Sequence, residues 1–122
     1  MNRLHLLVLG LLLAVITDTY CIQVPGGLGP PQFAGPREVA LVKENRNAII
    51  LKMSPDMRGP FGTFKALSFR KQVVKGTNYF IKVYIAGRRP RFIHVRIYTG
   101  LNNRSRVDRV KSVHQFEPIM YF

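Results

Sequence analysis

The run Lys71-Gln72-Val73-Val74-Lys75-Gly76-Thr77-Asn78-Tyr79-Phe80-Ile81-Lys82-Val83 constrains the fold more than any other stretch of the chain. Val73 and Val74 stand between a glutamine and a glycine, and an alternating, aromatic-rich run follows at once. β-Branched and aromatic residues on both sides of Gly76 predict a β-hairpin that turns at the glycine. Its tip would expose two valines, side chains that hairpin tips ordinarily hide, so the pattern points to a docking surface.

The neighbouring patterns extend this hairpin into a sheet. Residues 61–74 lead into the turn and 77–85 lead out of it, after which Ala86, Gly87, Arg88, Arg89 and Pro90 predict a second turn. Over 91–98 the alternation is clean, with Ile93, Val95 and Ile97 on one face and His94, Arg96 and Tyr98 on the other. His94 is therefore expected to be a solvated sheet-face residue rather than a ligand. Residues 99–105 predict a polar loop, and a last strand is expected over 109–116.

Upstream, Val39, Val42, Ile49, Ile50 and Met53 recur at helical intervals, with Arg46 interrupting the stripe. Pro36 suits a first helical position, Glu38 suits the positive end of the helix dipole, and Ser54-Pro55 supplies the stop. These signals predict one amphipathic helix of about four to five turns. The glycine- and proline-rich stretch before it predicts an extended arm. One helix followed by an antiparallel meander gives an α+β domain whose sheet wraps a single helix.

The chain has 122 residues, enough for one domain. Its first 21 predict a secretory signal peptide: Arg3 is the positive start, residues 6–16 are apolar, and Thr19 and Cys21 suit the cleavage site. The apolar run is about half the roughly 20 residues a membrane-spanning helix needs. A secreted domain of residues 22–122 is the expectation. A cut after Cys21 removes the only cysteine, and an earlier cut leaves it as a free thiol.

Enzyme chemistry finds little support. His5, His94 and His114 are isolated, the few acids form no carboxylate pair, and no metal-ligand spacing or phosphate loop is present. No catalytic residue, metal or cofactor is expected. The net charge of +13 instead predicts attraction to polyanions. Arg88, Arg89 and Arg91 form one candidate cluster for anionic glycans or membranes, and Arg104, Arg106, Arg109 and Lys111 form another. No module for specific nucleic-acid recognition is visible. Asn103-Arg104-Ser105 is a glycosylation sequon, making Asn103 a candidate attachment site.

Taken in register, these segments resemble the cystatins, and within them the stefins. Gln72-Val73-Val74-Lys75-Gly76 is similar to the Gln-x-Val-x-Gly first loop of that family. Residues 64–69, 78–83 and 92–96, with Tyr121 and Phe122, look like stefin sequence too. The resemblance implies a cystatin-like fold and reversible, tight-binding inhibition of papain-like, cathepsin-type cysteine proteases. It also implies a wedge of three segments that occludes the protease cleft. They are a trunk at Gly26 and Gly27, a first loop of Gln72, Val73, Val74, Lys75 and Gly76, and a second loop at Leu101 and Asn102. A monomer able to form a domain-swapped dimer is implied as well. The chain departs from the stefin pattern in its apparent signal, its high charge, Lys75 in place of a small residue, and Asn102 in place of proline.

Overall fold

The computed structural model describes residues 27–57 and 59–122. The expected signal peptide, its cleavage site and Gly26 lie outside the described residues. Five strands form one antiparallel sheet in sequential order: β1 (Gln32–Phe33), β2 (Phe64–Val74), β3 (Gly76–Ile85), β4 (Arg91–Thr99) and β5 (Ser105–Val113). Two helical segments, α1 (Pro36–Glu44) and α2 (Arg46–Lys52), pack across one face. This is the expected α+β architecture.

The inner face follows from the strand alternation. Ile81, Val83, Ile93, Val95 and Ile97 are all fully buried beneath Val42 and Ile49 of the helices. Burying each such side chain contributes about 1.5–3 kcal/mol, so the meander and the helix hold each other in place. The sheet carries two irregularities, at Leu67 in β2 and Asp108 in β5, where one residue is left out of the pairing register.

The helix has the expected length but a different stripe. Glu38, Leu41, Val42, Ile49 and Met53 face inward, whereas Val39 is exposed. Glu38 is buried because its carboxylate turns back to accept the Gly35 N–H at 2.8 Å, satisfying an orphan donor at the helix start. The segment also breaks at Asn45. Asn45 Nδ2 donates to Leu41 O at 2.8 Å and to Ser105 Oγ at 3.0 Å, so this side chain competes locally for helix carbonyls while tying the break to β5. Arg46, the apparent interruption of the apolar stripe, lays its guanidinium 4.8 Å above the Phe64 ring and donates to Phe61 O and Gly62 O.

Three further expectations are corrected. The last strand spans Ser105–Val113, not 109–116, because the extra residue at Asp108 disrupts the period-two pattern that marks a strand. The arm is not merely extended: Leu28 bridges Gln72, and Gln32 and Phe33 pair with Phe69 and Ser68, making it the sheet's edge. His94, expected in solvent, is only 1% exposed.

The burial of His94 has a plain cause. After β5 the chain turns and residues 114–122 cross the outer face of the sheet. Lys82 Nζ donates to Gln115 O at 2.9 Å and Glu117 O at 2.6 Å, Arg70 Nη1 donates to Ile119 O at 2.8 Å, and Arg96 Nη1 donates to Phe122 O. Phe80, fully buried, lies between the rings of Tyr121 and Phe122 at 5.6 and 5.7 Å. His94 sits beneath Phe122, ring centres 6.3 Å apart. Desolvation, with help from the charge of Lys82, pushes its pKa down to about 4, so the imidazole is neutral at neutral pH.

Candidate functional site

The topology brings the β2–β3 tip, the β4–β5 tip and the arm to one end of the sheet. The first tip is tight. Val74 pairs with Gly76 across a single intervening residue, Lys75, and Gly76 adopts φ +102°. A side chain at this position would be strained by that angle alone. It would also collide, since a Cβ would lie 2.6 Å from both Thr99 O and Tyr98 Oη. Glycine is therefore required by turn geometry and by the close passage of β4.

Tyr98 completes the brace. Its hydroxyl donates to Lys75 O, so the apex of the first hairpin is fixed to the end of β4. Within the same hairpin, Asn78 Nδ2 donates to Gln72 Oε1 at 2.9 Å. Val73 and Val74 remain 46% and 43% exposed on this stiffened turn. β-Branched side chains lose little rotamer freedom on docking, so a rigid pair of exposed valines is suited to binding.

The second tip is held from within. Asn102 Oδ1 accepts the Arg104 N–H at 3.1 Å, Gly100 N donates to Arg104 O at 2.9 Å, and Asn103 N donates to Gly100 O at 3.1 Å. Asn103 takes the left-handed conformation, φ 63°, which asparagine tolerates better than most residues. Leu101 projects at the apex, 78% exposed. A groove of about 430 Å³ separates the two tips, lined by Lys75, Tyr98, Gly100, Leu101 and Asn102.

The arm lies on the other flank of the first hairpin. Leu28 bridges Gln72, Gly29 N donates to Lys71 O at 2.8 Å, and Arg70 Nε donates to Gly29 O at 2.7 Å. Gly27 is thus placed beside the hairpin. Leu101 and Asn102, the five residues from Gln72 to Gly76 and Gly27 share one end of the molecule. Asn103 of the sequon is exposed there too.

The basic residues divide differently from their sequence clusters. Arg88, Arg89 and Arg91 lie at the opposite end of the sheet, around the β3–β4 turn. Arg104 is exposed beside the second tip. Arg106 lies 4.7 Å above the Tyr98 ring and pairs with Asp108 at 2.6 Å, while Arg109 and Lys111 flank the Phe122 ring. Lys111 also pairs with Glu117 at 3.3 Å. The second cluster is therefore largely engaged with Asp108 and the crossing segment. Tyr98, Asn45 and Ser105 were not singled out as site residues by their sequence pattern. Tyr98 alone carried a signal, as a hydroxyl-bearing aromatic at the strand end facing the hairpin turn.

The architecture defines a class: a helix-backed antiparallel meander presenting two hairpin tips and an N-terminal arm at one end. The Cystatin domain matches residues 59–109, which run from before β2 into β5. Leukocyte cysteine proteinase inhibitor 1 of Sus scrofa is 33% identical over 79 residues, covering 65% of this chain and 71% of that protein. Cystatin-A of Felis catus is 31% identical over 79 residues, covering 65% and 74%. Cystatin-B of Homo sapiens is 46% identical over 46 residues, which span 38% of this chain and 45% of that protein. The chain belongs to the cystatin family and is similar to its stefin-like members.

Proposed function

We propose that this protein is a reversible inhibitor of papain-like cysteine proteases, not an enzyme, and acts by inserting one end of its sheet into the protease cleft. Gly26 and Gly27 let the arm's backbone lie against the cleft wall, because neither carries a side chain. Val73 and Val74 fill the centre, and Leu101 with Asn102 makes the outlying contact. The observation that carries this reading is the braced first hairpin: the Tyr98 hydroxyl on Lys75 O fixes two exposed valines in one geometry. No bond of the inhibitor is offered for cleavage, so no nucleophile or metal is needed. The standard protease–inhibitor contact buries about 800 Å² on each partner, a size three short segments can supply.

Lys71, Lys75 and Arg104 give the inserting end positive charge, which favours encounter with an acidic cleft. In our reading the protein acts after export, with residues 1–21 removed, as a monomer able to exchange its helix and adjoining strand with a second copy. N-terminal sequencing of protein recovered from culture medium checks the first part, and light scattering checks the second.

Titration of a papain-like protease with the purified protein is the direct test. Reversible, dose-dependent inhibition at nanomolar concentration is expected, and Val73→Asp should weaken it by at least about 100-fold, since burying an unpaired carboxylate costs several kcal/mol. A folded protein that fails to inhibit at micromolar concentration would overturn the reading.

A further inference from the structure

Asn103, the asparagine of the Asn103-Arg104-Ser105 sequon, stands exposed at the β4–β5 turn in the left-handed conformation. It lines a hollow of about 240 Å³ on the helix side of that turn, which shares no residue with the groove between the two tips. Arg37, Ala40 and Glu44 supply the helix wall, because residues three and four apart share one face of α1. Tyr79 and Thr99 supply the sheet wall. Arg37 Nη1 donates to Tyr79 Oη at 3.5 Å, whereas Thr99 Oγ1 is buried and finds no hydrogen-bond partner among the described residues. Buried polar atoms are ordinarily paired, so an orphan hydroxyl in the wall of a hollow marks a place for a polar ligand.

We propose that Asn103 carries an N-linked glycan whose first sugar seats in this hollow, leaving the hairpin tips clear. Such a modification rests on the reading of export above, since attachment belongs to the secretory route. In the transfer, Asn103 Nδ2 gives up one proton to a base of the transferring enzyme and bonds to C1 of an N-acetylhexosamine. The C1–O bond to a lipid-linked diphosphate donor breaks, and the lipid diphosphate leaves with its electron pair. Ser105 Oγ accepts from Asn45 Nδ2 at 3.0 Å in the folded domain, so transfer to the sequon precedes the docking of β5 against the helix break. Sites that enclose a whole small ligand run about 300–1,000 Å³, so a smaller hollow suits a single ring tethered at its rim. A sugar ring offers hydroxyls to partners of both kinds: Glu44 accepts, Arg37 donates, and Thr99 Oγ1 can do either. The small side chain of Ala40 leaves the space open.

Secretion of the full chain from animal cells, followed by glycopeptide mapping, tests the attachment, and Asn103 should be modified in most of the secreted protein. A second chain, with a proven secretion leader in place of residues 1–21, separates the two readings. If that chain leaves the cell with Asn103 bare, the attachment is overturned. If it alone leaves the cell, carrying the glycan, the export reading falls and this site stands. The seat is read by trimming the glycan to its first sugar. That form should melt at least about 2 °C above the same chain secreted with N-glycosylation inhibited. Ala40→Leu, which fills the hollow, should erase the difference. Equal melting temperatures in the parent chain, or a difference that survives Ala40→Leu, would overturn the seat. The trimmed form should inhibit a papain-like protease within about threefold of the bare form, and a loss of about tenfold or more would place the sugar at the tips instead. No inhibition by either form would strike the cleft-insertion reading and leave this site standing.

Discussion

On the inner face of the sheet, Ile81, Val83, Ile93, Val95 and Ile97 meet an aliphatic layer from the helices. On the outer face, Phe80 and His94 are just as inaccessible, but their cover is a segment gripped by Arg70, Lys82 and Arg96 through its carbonyl oxygens. The inner face is closed by apolar burial, which neither pH nor salt touches strongly. The outer face is closed by cations on peptide oxygens above a neutral histidine. Its polar contacts also run on toward the functional end: Asp108 lies 4.0 Å from Arg96 and pairs with Arg106, which covers Tyr98, whose hydroxyl holds Lys75 O. One sheet thus has a face closed by apolar burial and a face whose polar contacts reach the first hairpin.

The largest effect should come from breaking the inner face. Ile81→Ala empties a fully buried site at the centre of β3 and should cost about 2–5 kcal/mol of unfolding free energy. Denaturant titration at neutral pH measures it. The loss should be the same at pH 7 and pH 5, because Ile81 is packed in the apolar core cluster.

Acid should single out the outer face. His94 is held near pKa 4 when folded and returns to about 6.5 when unfolded, so the unfolded chain binds more protons below that value. Stability is unaffected above pH 6.5, falls as pH drops from there, and has lost about 3 kcal/mol by pH 4. Glu117 acts in the same direction: although desolvation opposes it, the hydrogen bond and charge of Lys111 hold its carboxyl below the usual range, so that contact too is lost in acid. His94→Gln should flatten the slope between pH 6.5 and 4. An unchanged slope would mean that the outer cover opens without involving this residue.

A third test removes the grip and leaves the histidine. Lys82→Met keeps the apolar stem but deletes both hydrogen bonds to the crossing segment, and should cost about 1.5–3 kcal/mol, the range for hydrogen bonds from a charged donor. Amide exchange should rise over residues 114–122 and stay slow in β3 and β4. A uniform rise would show that the two faces unfold together.

The difference between the faces also explains what could be read in advance. Ile93, Val95 and Ile97 announce a buried face by strict alternation, and the hairpin at Gly76 is marked by residue types with narrow conformational options. Those are local signals. His94, Arg96 and Lys82 give the alternation of a solvated face, and only a distant segment, 114–122, makes it an interior. The Asn45 break and the extra residue at Asp108 were equally hidden, since each has a neighbour on another element: Asn45 bonds Ser105, and Asp108 lies 4.0 Å from Arg96. Of the functional end, the tip residues were legible as a motif, but the brace that stiffens them was not.

That brace provides the finest test. Tyr98→Phe deletes one hydroxyl, keeps the ring beneath Arg106, and leaves Lys75 O unpaired where water can reach it, so stability should fall by only about 0.5–1.5 kcal/mol. Inhibition should suffer more than this suggests, for the bond's service is to hold the valines in one arrangement before contact. Without it the hairpin must be ordered on binding, at about 0.5–1.5 kcal/mol for each side chain immobilised, or several-fold in affinity. The loss should appear as slower association with the protease, since fewer molecules meet it already shaped. If Tyr98→Phe inhibits as well as the parent while Val73→Asp does not, the valines act from a hairpin that needs no brace, and the outer face has no voice at the functional end.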